Sequence, residues 1–188
     1  MVLAMVFLGT ACGQRPAEPT APPAAEESEA PEDTGSGELT GATCGRTNEG
    51  NPANFPDFVG VELDSGDGVD RITFRFEPQP DAPAQPPFHF VYFADELVTE
   101  GEGRPVDVDG EAFLVVSFQA VGVDLSGETP VKVYTGKERF RPRFPTLREA
   151  AMLGDFEGQV SWGLGLTEKA CYRLDTGPDH LTVELPSG

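Results

Sequence analysis

From Phe55 onward, apolar and polar residues alternate in short runs that Gly, Asp and Pro interrupt. DFVGVEL (57–63) leads through DSGDGVD (64–70) into RITFRFE (71–77), where Ile72, Phe74 and Phe76 share one face and Arg71, Thr73 and Arg75 the other. A period of two with one apolar face is the pattern of a half-buried strand, so these runs read as a hairpin. PFHFVYFAD (87–95), EAFLVVSFQAV (111–121, after the turn pair Asp109-Gly110) and PVKVYTG (130–136) read as further strands. TLREAAMLGDFEGQVSWGLGL (146–166) reads as two strands about GDFEG, and ACYRLDTGPDHLTVELP (170–186) as a last hairpin with Leu181, Val183 and Leu185 inward. Residues 146–153 leave strand and short helix both open, because Ala, Leu, Glu and Arg favour a helix. Trp162 alternates with Val160 and Leu164, which predicts a core position, with ligand stacking as the alternative. Many short strands without strand–helix alternation predict a mainly β fold, a single β-sandwich or open barrel domain.

The first 43 residues lack this pattern. MVLAMVFLGT (1–10) is apolar but too short to cross a bilayer, which takes about 20 helical residues. Gly9, Thr10 and Ala11 then precede Cys12, and this arrangement resembles the bacterial lipoprotein signal, which is cleaved before a cysteine that takes the lipid. Export signals carry a basic start, and none precedes this run, so the native start is expected upstream. Residues 13–43 hold five prolines and seven acids, with Leu39 as the only large apolar residue. Such a segment buries too little surface to offset its ordering entropy and is expected to be a disordered tether, reaching at most roughly 100 Å. The expected organisation is a signal peptide (1–11), a lipidated Pro-rich and acidic tether (12–43) and a folded β domain (44–188). A buried free cysteine at position 12 is the alternative.

If Cys12 holds a lipid, Cys44 and Cys171 remain, and in an oxidising compartment they are expected to pair. Zinc would need four ligands, for which only His89 and His180 could join them. Neither metal nor cofactor is expected.

Charge narrows the partners. With 32 acidic and 13 basic residues the chain carries a formal charge of -19, which leaves counterion release little to work with, so nucleic acid is not expected. GKERFRPRFP (136–145) stands out in that acidic setting. At period two, Arg139, Arg141 and Arg143 share one face, and Phe140, Pro142 and Phe144 the other. Pro142 cannot donate to a ladder, so the segment is expected at a sheet edge or in an extended loop. Guanidinium forks match carboxylates and phosphates, which makes Arg139, Phe140, Arg141 and Arg143 the candidate ligand-binding residues. The alternative is that these arginines pair with the domain's own acids and guard the edge.

Catalysis finds little support. No serine lies in a G-x-S-x-G elbow, and a Cys–His nucleophile would compete with the disulfide. Asp64, Asp67 and Asp70 could suggest calcium, yet their spacing of three and the adjacent glycines suit a turn.

GDGVDRITFRFE, ELVTEGEGRPVDVDGEAFLVVSF, GDFEGQVSWGLGL and YRLDTGPDHLTVELP, in that order, resemble the AMIN-like domain lipoproteins of actinobacteria over about residues 55–186. The resemblance implies a β-sandwich without catalytic activity, associated with peptidoglycan binding or envelope targeting. It implies a protein on the extracytoplasmic face of the cell membrane, held by the lipid on Cys12, with a cell-wall polymer or an envelope protein as partner. A second reading is a structural lipoprotein that meets a protein partner through an edge strand.

Overall fold

The computed structural model describes residues 39–187. Cys12, the expected signal peptide and most of the expected tether lie outside them. The strands are β1 (Thr47–Glu49), β2 (Asp57–Gly66), β3 (Val69–Glu77), β4 (His89–Ala94), β5 (Ala112–Gln119), β6 (Val123–Asp124), β7 (Val131–Lys132), β8 (Arg139–Phe140), β9 (Leu147–Phe156), β10 (Gln159–Leu166), β11 (Arg173–Thr176) and β12 (His180–Pro186).

Six strands form one antiparallel sheet, ordered β1-β4-β5-β10-β9-β8. Four form a second, β11-β12-β3-β2, and β6 and β7 make a short ribbon. Alternation decides which side chains point inward. Phe58, Ile72, Phe74, Leu181, Val183 and Leu185 of the smaller sheet pack against Val91, Leu114, Val116, Phe118, Val160, Trp162 and Leu164 of the larger. The result is a β-sandwich without barrel closure, and burial of these large side chains is its main favourable term. Trp162 is fully buried in this core, with the rings of Phe74 at 5.7 Å and Phe140 at 6.0 Å.

Residues 147–156 are strand β9 rather than helix, paired with β10 on one side and β8 on the other. Tertiary pairing overrides the helix preference of Ala, Leu and Glu here. The hairpin β2–β3 turns at Asp67-Gly68 and β9–β10 at Glu157-Gly158; all four residues have φ between 53° and 76°, the left-handed pair that two-residue hairpins need.

Asp109-Gly110, by contrast, does not tip a tight hairpin. It ends the long connection 95–111 between β4 and β5, which folds over the outer face of the larger sheet. Leu97 and Val108 of that connection form a second apolar cluster with Val115, Ala151 and Leu153. The outward positions of β10 make room for it: a Cβ on Gly163 would lie 2.5 Å from Leu97 Cδ1, and one on Gly165 would lie 2.1 Å from the Asp109 carbonyl oxygen.

Two ties complete the sandwich. Buried Asp70 on β3 accepts the amides of Thr146 (2.7 Å) and Leu147 (2.9 Å) through Oδ2 and the Ser65 hydroxyl through Oδ1, joining the smaller sheet to the start of β9. Cys44 and Cys171 form a disulfide across a separation of 127 residues. Beside it Thr43 and Tyr172 exchange backbone hydrogen bonds of 2.8 and 2.9 Å.

Candidate functional site

The basic stretch 136–145 runs along the free side of β9. β8 pairs Arg139 with Ala151 and Phe140 with Ala150. The ladder then stops, because Pro142 has no amide hydrogen and Arg143 adopts a left-handed backbone (φ 55°). The chain still returns to β9 through the Phe144 amide, which donates to the Leu147 carbonyl at 2.9 Å. Phe140 and Phe144 turn toward the core, half-buried, so the two faces of this segment differ sharply in chemistry.

On the outward face the arginines meet Glu149 of β9, whose side chain is only 2 % exposed. The Asp109 amide donates to Glu149 Oε2 at 3.0 Å. Arg139 pairs with Oε1, and Arg141 Nε lies 3.2 Å from the same oxygen. Burial alone would raise this carboxyl, but the Asp109 amide and the two guanidiniums outweigh it and hold Glu149 below the usual glutamate range. Arg139 also donates to the Asp107 carbonyl at 2.9 Å, which fixes the end of the 95–111 connection against β8. Two of the three arginines thus pair with the domain's own acid, as the pairing alternative expects.

Arg143 does not. Together with Arg141, Asp107, Asp109 and Glu149 it lines a cleft of about 320 Å³, walled entirely by charged residues. Among the described residues Arg143 and Asp107 have no ion-pair partner, and Arg148 approaches Asp109 only to 3.8 Å. The sequence pattern singled out Arg139, Phe140, Arg141 and Arg143. The fold brings Arg141 and Arg143 to the cleft, uses Arg139 to brace its wall and places Phe140 beneath it on Trp162. Asp107, Asp109 and Glu149 carry no such binding signal in the sequence, because single acids in an acidic chain show no periodicity and the fold alone brings them to Arg141.

Other residues with possible chemistry are engaged. Cys44 and Cys171 hold no free thiol. His89 is buried with Nδ1 2.9 Å from the Pro87 carbonyl oxygen, and His180 lies between Asp179 and Asp175. Ser161 is buried and bonded to Ser117 at 2.7 Å. Of the turn acids, Asp64 pairs with Arg71 and Asp70 is consumed by backbone amides. Among the described residues no group of three or more His, Cys, Asp or Glu is arranged to hold a metal ion. A second cavity, of about 270 Å³, lies by Lys132, Tyr134, Glu138 and Asp155.

Neither a curated protein nor a solved structure matches the chain. A family model, described as AMIN-like domain, matches residues 56–186, a span that covers both sheets except β1 and includes the cleft. On that match, which takes in well over half of its length, the chain belongs to the AMIN-like domain family.

Proposed function

We propose that this protein is a membrane-anchored, non-catalytic binding module of the cell envelope, whose AMIN-like domain contacts a cell-wall polymer. The observation that carries this reading is the family match over the sandwich, since AMIN-like domains are wall-associated binding modules rather than enzymes. The cleft is the contact surface that best fits it. Arg141 spends only Nε on Glu149, and Arg143 has no acid partner among the described residues, so guanidinium donors remain for an incoming carboxylate or phosphate.

In this reading the signal 1–11 is removed, the lipid on Cys12 holds the chain at the extracytoplasmic face, and residues 12–43 lift the domain 44–188 toward the wall. One acyl chain binds a membrane only marginally, so the anchor requires at least two.

Two measurements test it. The full chain should pellet with purified cell-wall sacculi, and the double variant Arg141→Glu/Arg143→Glu should stay in the supernatant. Pelleting that survives the double variant removes the cleft from the reading, and a wild-type chain that does not pellet removes the wall. For the anchor, the intact mass of protein taken from its native membrane should equal a chain beginning at Cys12 plus acyl groups; a mass that retains Met1 overturns it.

A further inference from the structure

The charges that line the cleft are mixed, and their bookkeeping limits what can enter. Glu149 already faces the Asp109 amide, Arg139 and Arg141. What remains open is one set of cations, Arg143 and the unspent Nη groups of Arg141, and one set of anions, Asp107 and the loosely held Asp109. We infer that the cleft binds a zwitterionic amino-acid group, a carboxylate and an ammonium on one small ligand, so that the part of the wall polymer it reads is peptide rather than glycan or phosphate. This rests on the wall-binding reading above and names the ligand of that same site.

A phosphate polymer fits the cleft poorly. It would satisfy Arg141 and Arg143 but bring its negative charge against Asp107 and Asp109, and it would approach a chain whose net charge is -19. A neutral sugar would leave both charge sets in the cleft unpaired and would gain no charge-assisted hydrogen bonds. A zwitterion lets its carboxylate take the guanidinium forks and its ammonium take the two aspartates, so neither set is left uncompensated. Size agrees: at about 30 Å³ per water, the cleft holds on the order of ten waters, which leaves room for a ligand as large as a dipeptide.

Both ends of the ligand can be tested separately on the full chain by NMR titration with the dipeptide alanyl-alanine. The free dipeptide should shift the amides of residues 107, 109, 141 and 143, and the N-acetylated and C-amidated forms should each bind about tenfold more weakly. Each variant should erase one of these differences. In Asp107→Asn the free and N-acetylated forms should converge; in Arg143→Asn, where Asn tolerates the left-handed backbone, the free and amidated forms should converge. Inorganic phosphate should not compete. The inference is overturned if a blocked form or phosphate binds as tightly as the free dipeptide, or if no form binds.

Pelleting separates this failure from failure of the wall reading. Sacculi stripped of their peptides should no longer retain the chain. If peptide-free glycan retains it as well as intact sacculi do, the zwitterion inference fails and the wall reading stands; if intact sacculi do not retain it, both fail.

Discussion

Arg141 Nε lies 3.2 Å from Oε1 of Glu149, yet the two side chains sit in different surroundings: the glutamate is 2 % exposed and the arginine 61 %. The pair is therefore asymmetric in its consequences. Removing the buried partner strands Arg139 and Arg141 and the Asp109 amide together, whereas removing the exposed one leaves Glu149 with two partners. Glu149→Ala is expected to cost about 2–3 kcal/mol and Arg141→Gln at most about 1 kcal/mol. Urea denaturation with an unchanged slope measures both; equal costs would contradict the asymmetry.

The same cleft depends on a glycine that never enters it. A Cβ at position 165 would strike the Asp109 carbonyl oxygen, which is backbone, while one at 163 meets only side-chain ends, those of Leu97 and Leu153. Gly165→Ala should therefore destabilise by more than Gly163→Ala, by roughly 1–3 kcal/mol against less than about 1.5 kcal/mol. Because Asp109 also supplies the amide that holds Glu149, Gly165→Ala should weaken ligand binding and Gly163→Ala should not. Titration of the two variants side by side measures this; equal affinities would break the proposed link between the connection 95–111 and the cleft.

The disulfide closes a loop that contains nearly the whole sandwich. Chain-entropy reasoning puts its contribution at about 4–5 kcal/mol. The paired variant Cys44→Ser/Cys171→Ser should lose about that much. It should still fold, because buried Tyr172 keeps its hydroxyl 2.7 Å from the Gly45 carbonyl oxygen and 3.1 Å from that of Val91. Thermal unfolding with and without reductant checks this, and a melting temperature insensitive to reduction would contradict it.

The hairpins and the two sheets are legible in the sequence wherever one face is apolar and the other polar, as in Ile72, Phe74 and Phe76 or Leu181, Val183 and Leu185. Residues 147–153 are legible only in part: they read as a strand about GDFEG, but their composition leaves a helix open, and pairing with β8 and β10 decides for the strand. The connection 95–111 is illegible for a different reason: it packs by filling space above Gly163 and Gly165, and the only trace of that in the sequence is the small residues at outward positions in SWGLGL. In the cleft, the arginines are visible through alternation with Phe140 and Phe144, but their partner Glu149 reaches them only through strand pairing.

Acid should act on the fold in two opposite directions. Glu149 is held below the ordinary glutamate value by the Asp109 amide, Arg141 and Arg139 against the opposing pull of burial, and Glu184 is held low chiefly by Arg173. Their stabilisation is present above the ordinary value of 4.5 and is lost as pH falls through their lowered values. Asp155 is the reverse: burial raises its carboxyl, and its Oδ2 has no hydrogen-bond partner. Its contribution is favourable below the ordinary aspartate value of 3.8 and is lost as pH rises through the raised one. Asp155→Asn should therefore unfold at a higher temperature than wild type at neutral pH, with the gap closing near about pH 2.5. Thermal melts across that range decide it, and a gap independent of pH would contradict it.

Contact between the cleft and the wall can be read directly by placing a photo-crosslinking residue at position 142 of the full chain, between Arg141 and Arg143, so that both cleft arginines stay in place, irradiating it with intact sacculi and digesting the glycan with a muramidase. Mass spectrometry should find the protein carrying a peptide-bearing wall fragment, with the yield reduced by excess alanyl-alanine. A crosslink formed in cells to another protein, with no wall fragment attached at position 142, would contradict wall recognition at this cleft and favour an envelope protein as the partner.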